Sequence, residues 1–570
     1  MGIFSFFRKK KTKQTSIILT SEVEQAERLS NVGQVGEENV SIEENVIEII
    51  MPIEDSIIGE EELQSETYEE LDDYDPTKDL SNYYFPSIGL LKTYELRNTN
   101  REEIEETKIK IISILQTNNI EIISIQANIG YVNTLYEIVP KAGFRISKIK
   151  QLITDLAFAL LVPQLSVEPI MERGIIGIIV PNKNFLILPL QALIASRGFQ
   201  ESDFVLPLAL GRTMKVENFI VDLTTQPHIL IGGATGQGKS VLLNNMILSL
   251  LYKRHPAELK FVLVDTHIVE FNLYSRIEKH YLAKLPSTER AIISDIYKAE
   301  QTLRSVCKEM DDRYDLLLKS GTKNISDYNQ KFKKRRLNPL QGHRFLPYIV
   351  VIIDEYSDLA MTSGKETESS LIQLTRKAHI VGIHIILATQ RPTKNIITGD
   401  LKANFPVRIA FKVSSSLESR IITDKNGAEE LSGRGDALYC DGMNVMRIQV
   451  PYVSTEEIEG IAAFIGNQQG YRSAYELPEY IGFNDNYNIG NIDLSDKDPL
   501  FDEAARLIVV HQQGSTSLIQ RKFSIGYNRA GRLMDQLEVA GIVGPAEGSK
   551  PRDVLISDEY SLEQKLNSIG

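Results

Sequence analysis

Eight residues, Gly233-Ala234-Thr235-Gly236-Gln237-Gly238-Lys239-Ser240, constrain the fold more than any other stretch of the chain. They read G-x-x-x-x-G-K-S. The apolar run Pro227-His228-Ile229-Leu230-Ile231-Gly232 precedes them, and residues 241–251 follow with apolar side chains at helical spacing. A buried strand before the motif and a helix start after it predict a phosphate-binding loop. The glycines let the backbone curl so that its N–H groups point inward at phosphates, and the helix N-terminus adds positive potential. Lys239 is placed to reach the β- and γ-phosphates and Ser240 to ligate Mg²⁺, so the expected ligands are ATP and Mg²⁺.

The surrounding sequence supplies the sheet such a loop needs. From 205 to 450, strand-like runs alternate with helical ones: 228–232, 260–265, 348–354, 383–389, 407–413 and 446–450. Several are continuous apolar runs, as expected when helices cover both faces of a parallel sheet. The run Ile349-Val350-Val351-Ile352-Ile353 ends in Asp354-Glu355. Asp354 is placed to hold Mg²⁺ through water and Glu355 to polarise an attacking water. The run 383–389 ends at Gln390, a candidate sensor of the γ-phosphate. Arg408 and Arg420 are alternative candidates for an arginine presented to a neighbouring subunit's ATP. The helix expected at 289–320 shows a charged face (Lys308, Glu309, Asp311, Asp312, Arg313). The basic run Lys331, Lys333, Lys334, Arg335, Arg336 is followed by Pro339 and Gly342 and reads as a loop.

Net charge is −13, which looks wrong for a nucleic-acid binder until it is located. Residues 1–20 carry +5 and residues 21–80 carry −18, so residues 81–570 are neutral overall and free to form basic patches. The acidic stretch reads as a disordered linker. The start, Phe4-Ser5-Phe6-Phe7-Arg8-Lys9-Lys10-Lys11, could touch an anionic membrane surface or fray into solvent. No run approaches the roughly 18 apolar residues that span a bilayer. Two distant cysteines, Cys307 and Cys440, suggest a reducing compartment. The expected location is the cytoplasm, with a peripheral contact to the inner face of the membrane left open.

The expected domains are a basic-then-acidic tail at 1–80, an α+β domain at 81–200, a P-loop domain at 201–470, a linker at 471–497 and a winged helix at 498–560. In the small domain a helix is expected at 101–116 and a helical run at 145–160. In the C-terminal module three helices (499–512, 514–519, 526–541) precede a turn-rich segment ending in a strand, the winged-helix pattern. Asn528, Arg532 and Asp535 fall at i, i+4, i+7 on one face of the last helix. Asn suits adenine, Arg suits guanine, and Asp can accept from cytosine N4. Arg521, Lys522 and Arg529 would reach phosphates. Isolated winged helices also dock proteins.

These residues resemble the FtsK/SpoIIIE family of DNA translocases from about Tyr84 to Ile556. The most specific stretches are Gly233–Ser240, 347–360 (PYIVVIIDEYSDLA), 382–411 and 520–543. The resemblance implies an α domain, a RecA-like β domain and a γ winged helix. It implies a homohexameric ring that pumps double-stranded DNA, oriented by the γ domain, which in some members also activates Xer recombinases. Asn528, Arg532 and Asp535 match the γ domain's base readers. There are departures. An acidic tail stands where the family usually has a membrane-spanning domain. Asp265-Thr266-His267 stands for Asp-Pro-Lys, Asp535 for the commoner Glu, and His379 for Arg. The fold expectation is therefore α/β: a RecA-like P-loop motor domain after a small α+β domain and before a C-terminal winged helix, with a disordered tail. The expected activity is ATP-driven DNA translocation in chromosome or mobile-element segregation. The rivals are a P-loop regulator whose winged helix is a DNA-binding switch, and a conjugation- or packaging-type DNA pump.

Overall fold

The computed structural model describes residues 72–94, 101–141, 146–170, 173–286, 288–442, 444–479, 497–523, 527–545 and 551–569. The basic start and most of the acidic tail lie outside them.

A small antiparallel sheet comes first. Helix Arg101–Thr117 precedes β1 (Ile122–Ile129) and β2 (Asn133–Pro140), and β3 (Ser166–Ile170) and β4 (Ile175–Pro181) complete the order β1-β2-β4-β3. The helical run expected at 145–160 is two helices, Ile146–Gln151 and Ile153–Leu160, because Leu152 leaves helical geometry between them. Ile111, Leu115, Ile149, Leu156 and Leu160 of these helices bury against Tyr136, Ile138, Ile176 and Ile178 of the sheet.

The second sheet has ten strands and carries the phosphate-loop motif. Its members are β5 (Pro207–Thr213), β6 (Asn218–Asp222), β7 (His228–Gly232), β8 (Leu259–Val264), β10 (Ile292–Ile293), β11 (Tyr348–Ile353), β12 (Ile383–Thr389), β13 (Val407–Phe411), β14 (Asp436–Asp441) and β15 (Asn444–Gln449). The order is β10-β8-β11-β12-β7-β13-β14-β15-β5-β6. The six strands from β10 to β13 are parallel, and the rest pair antiparallel. Strands β7, β8 and β12 are buried along their whole length, which explains why they are apolar apart from His228, Lys260, His384 and Thr389. The antiparallel flank β5, β6 and β14 was not expected. Pro207 and Gly211 break up β5, and β14 mixes Asp436, Tyr439, Cys440 and Asp441 into a strand too short and polar to stand out. β9 (Ala283–Lys284) and β16 (Tyr475–Glu476) form a separate parallel pair.

Tertiary packing corrects several expectations. The expected tail boundary at 80 falls too late: Pro76–Leu80 is a 3-10 helix, and Leu80, Tyr83 and Leu91 pack into the core of the large sheet. Leu190, Leu193, Ile194 and Phe199, expected in the small domain, bury in that same core. The expected linker starts too early, since β16 and the buried Leu477 belong to the sheet domain. Helix Ile296–Ser320 begins after a short strand, and two residues of its expected charged face are interior. Glu309 accepts from Arg313 Nε at 2.8 Å, from Arg344 Nη2 at 3.0 Å and from Tyr475 Oη at 3.0 Å. The i, i+4 pair looked like a solvated face, but Arg344 and Tyr475 arrive from elsewhere to cover it. Lys331 and Lys333 of the supposed basic loop lie in helix Ile325–Lys333.

The C-terminal module folds around Phe501, Ile508, Ile519, Leu533, Leu537 and Val543. Its helices are Phe501–His511, Thr516–Phe523 and Tyr527–Val539, with β-bridges Gly514 to Arg552 and Val543 to Val554 forming the wing. A fourth helix, Glu559–Ile569, contributes Leu562 and Leu566 to the same core, so the module runs past the expected end at 560.

Candidate functional site

The phosphate loop leaves β7 between its parallel neighbours β12 and β13. Gly233 N–H donates to Thr389 O at 3.3 Å and Ala234 N–H to Lys412 O at 3.0 Å, so the ladder continues into the loop. The chain then turns through Gly236 (φ +75°) and Gly238 (φ +123°), which caps helix Lys239–Leu251. A side chain at Gly238 would also meet Phe411 Cε1 at 3.0 Å and Gly435 Cα at 3.1 Å, so that position admits only glycine. A Cβ at Gly236 would meet nothing within 4 Å, so glycine there answers to its positive φ alone.

Asp354 and Glu355 end β11, which is separated from β7 by β12. Gln390 ends that intervening strand. The three strand ends therefore lie side by side, and their side chains are linked. Lys239 Nζ donates to Asp354 Oδ1 and to Asp354 O, both at 2.7 Å, and both side chains are about 4% exposed. Burial raises the Asp354 carboxyl above its ordinary range, with the charge of Lys239 opposing and those of Glu270 and Asp265 adding. Glu355 Oε1 accepts from Ser357 Oγ and Thr389 Oγ1, each at 2.7 Å, and Oε2 accepts from Gln390 N–H at 2.8 Å. Gln390 Oε1 in turn accepts from Thr235 Oγ1 at 2.6 Å. Ser240 is the second residue of the loop's helix, and its carbonyl accepts from Asn244 Nδ2 at 2.9 Å. Gln237 O accepts from Gly435 N–H at 3.0 Å.

The two arginine candidates differ. Arg408 is mostly buried and pairs with Asp424 while donating to Phe405 O at 3.1 Å. Arg420 is exposed and makes one long contact, to Ser416 O at 3.4 Å. In the winged helix, Arg521 and Lys522 are exposed. Asn528, Arg529 and Arg532 fall within helix Tyr527–Val539, and their side chains lie outside the described residues. Asp535 Oδ1 accepts from Arg552 Nη2 at 2.6 Å, and Arg552 also reaches Glu538 Oε2 at 2.7 Å and Met534 O at 3.1 Å. Arg552 thus pins the wing to the helix of the candidate base readers. Sequence reading passed over it because a lone arginine in a turn-rich segment carries no periodic signal.

Asp265 is a second residue whose part was missed. It is fully buried at the end of β8 and accepts from the N–H groups of His267 (3.2 Å), Glu270 (2.9 Å) and Phe271 (2.9 Å). It shapes the loop between β8 and the site, and Thr266 Oγ1 extends that loop to Asp358 Oδ2 at 2.8 Å. The departure at Thr266-His267 therefore leaves the acidic anchor in place.

A glycine loop after a central parallel strand, with an acid pair one strand removed and a polar residue on the strand between, defines the RecA-like class of P-loop folds. Family models place it further. Residues 85–182 match the FtsK alpha domain, 189–394 the FtsK/SpoIIIE family and 495–557 the Ftsk gamma domain. The chain is 41% identical over 503 residues to the DNA translocase FtsK of Chlorobaculum tepidum, covering 86% of this chain and 61% of that protein. It is 38% identical over 534 residues to the DNA translocase SpoIIIE of Bacillus subtilis, covering 92% and 65%. The chain belongs to the FtsK/SpoIIIE family, and it spans about 61% to 65% of the length of these relatives. Among solved structures, the pCW3 conjugation coupling protein TcpA in its monomer form with ATPγS matches at TM-score 0.44 and 25% identity, over 63% of this chain and 98% of that one. Among the described residues no helix is long and apolar enough to cross a membrane.

Proposed function

We propose that this chain is an ATP-hydrolysing motor that moves double-stranded DNA. The observation that carries the reading is the unbroken linkage Thr235–Gln390–Glu355, with Asp354 and Lys239 beside it. It joins the phosphate loop, the acid strand and the strand between them, as a site that hydrolyses and signals requires. The loop N–H groups and Lys239 bind the ATP phosphates. Lys239 exchanges its contact with Asp354 for the β/γ-phosphates. Ser240 and Asp354 would hold Mg²⁺, which needs only one or two protein oxygens beside phosphate and water and which offsets phosphate charge. Glu355 orients the attacking water and draws on its proton, and Gln390 passes the state of the γ-phosphate through its backbone N–H and its amide.

The DNA half of the reading rests on the gamma-domain match and on two relatives that bear the name DNA translocase. Asn528, Arg532 and Asp535 are assigned to base edges and Arg521, Lys522 and Arg529 to phosphates. Subunits assemble as a homohexameric ring, with Arg420 completing the neighbour's ATP site because Arg408 is held within its own chain. A Xer-type recombinase is a candidate partner, and segregation of chromosomal or mobile-element DNA is the assigned task. The assigned place is the cytoplasm, and the basic start Arg8–Lys11 leaves a peripheral contact with the inner face of the membrane open. Triplex displacement tests the motor. Full-length protein with MgATP should strip a third strand from linear duplex, and Lys239→Ala should not. If duplex DNA leaves hydrolysis unchanged and no triplex is displaced, the motor reading is wrong and a DNA-binding switch takes its place.

A further inference from the structure

The short connection Ser432–Asp436, between a 3-10 turn (Ala428–Glu430) and β14, is held in an unusual backbone conformation. Gly433, Arg434 and Gly435 all have positive φ (+77°, +55° and +85°). For Arg434, which has a Cβ, that region is strained and persists only where surrounding contacts impose it. Those contacts point two ways. Toward the phosphate loop, Gly435 N–H donates to Gln237 O at 3.0 Å, and a Cβ at Gly433 would meet Gln237 Oε1 at 2.5 Å. Toward the small antiparallel domain, Asn133 Nδ2 donates to Asp436 Oδ2 at 3.1 Å and Ser432 Oγ donates to Asn133 Oδ1 at 2.6 Å. The Arg434 guanidinium carbon stands 4.1 Å from the centroid of the Phe185 ring.

The middle of the connection is clamped. Gln449 Nε2 donates to Arg434 O at 2.9 Å. Asp436 is buried and bidentate with Arg447, through Nε at 2.9 Å and Nη2 at 2.6 Å. Arg447 Nη1 continues to Ser166 Oγ, on β3 of the small domain, at 2.6 Å. The residue bonded to the phosphate loop and the residue bonded to Asn133 are adjacent in sequence. Adjacent Cα atoms are fixed about 3.8 Å apart, so little displacement can be absorbed between them.

We infer that the Ser432–Asp436 strap transmits nucleotide occupancy of the phosphate loop to the small domain, with Arg434 and Phe185 as its positioning residues. The inference rests on the nucleotide reading above. ATP drawing Gln237 inward pulls Gly435, and the Arg434–Phe185 contact together with Asp436–Asn133 carries the shift to β2 and to the segment after β4. Neither Arg434 nor Phe185 belongs to the phosphate-binding set.

Hydrogen exchange of the full-length protein, with and without MgATPγS, reads both ends at once. In the parent, nucleotide should slow exchange at least about threefold in 233–240 and also in 133–140 and 182–186. Arg434→Ala and Phe185→Ala should keep the loop protection and nucleotide affinity while losing most of the small-domain protection. Phe185→Trp, which still offers a ring face to the guanidinium, should restore it. A parent protected at the loop but unchanged at 133–140, or an Arg434→Ala protein protected at both, overturns the coupling. A parent without loop protection sinks the nucleotide reading, and the coupling with it.

Discussion

Gln390 accepts a hydrogen bond from Thr235 of the phosphate loop at 2.6 Å and, through its own backbone N–H, donates one to Glu355 at 2.8 Å. One residue thus touches both the loop expected to hold phosphate and the acid expected to position water. Gln390→Ala should bind ATP within about threefold of the parent yet lose roughly a hundredfold in kcat, the scale of one preorganised polar group at a reaction centre. Thr235→Val should lose less, about fivefold, since a single neutral hydrogen bond contributes about 1 kcal/mol. Steady-state ATPase assays with nucleotide titration check both, and a Gln390→Ala defect confined to KM would refute the relay.

Lys239 and Asp354 form a buried pair. Removing one partner of such a pair costs about 3–5 kcal/mol, because the other charge is left desolvated. Lys239→Ala should therefore lower the urea midpoint of the nucleotide-free protein. Adding Asp354→Asn should recover most of the loss while hydrolysis stays abolished. A double variant no more stable than the single one would show that the pair is not what Lys239 contributes to stability.

Arg420 and Lys239 should fail in different places. If Arg420 serves the neighbour's site, Arg420→Ala and Lys239→Ala proteins are each inactive, but mixing them creates interfaces with one intact site. Mixed samples should regain a measurable fraction of DNA-stimulated hydrolysis. Arg408→Ala should show no such complementation, because its pairing with Asp424 lies within one chain. Mixing that never restores activity would remove Arg420 from the shared site.

Lys260 gives a pH test away from the site. Its ammonium lies in the core, donating to His280 O at 2.7 Å and facing the Tyr471 ring at 4.4 Å. Burial lowers its pKa from the ordinary lysine value to about 7, with Asp79 opposing. The unfolded chain then holds a proton that the folded chain has released across the window from about 7 to about 10.4, so stability contributed by this group rises with pH there and is lost on descending toward 7. Lys260→Met removes that slope. Relative to the parent, the variant should gain stability between pH 9.5 and pH 7.5, read as the difference in urea midpoints. A pH-independent difference would mean that Lys260 titrates normally.

Much of this protein is legible without coordinates. The loop motif, the apolar run into Asp354-Glu355 and the strand into Gln390 announce themselves because local chemistry fixes them. A phosphate loop needs glycines at set spacing, and a strand buried on both faces must be largely apolar. What hid were features whose partners lie far along the chain. Asp265 reads as one acid after a strand until its three backbone donors are seen. Glu309 and Arg313 read as surface until Arg344 and Tyr475 cover them. Ser432–Asp436 reads as a glycine turn until Gln237, Asn133 and Phe185 converge on it.

The sequence by itself determined that a phosphate loop, an acid-ended strand and a helical C-terminal module exist, because hydrophobic period and motif spacing are written residue by residue. Only the tertiary structure decided that β12 stands between β7 and β11. Parallel neighbours are joined by long crossovers, so chain order does not give sheet order. That placement sets Gln390 between Thr235 and Glu355, brings Lys239 onto Asp354, and ties the phosphate loop to a second domain through five residues.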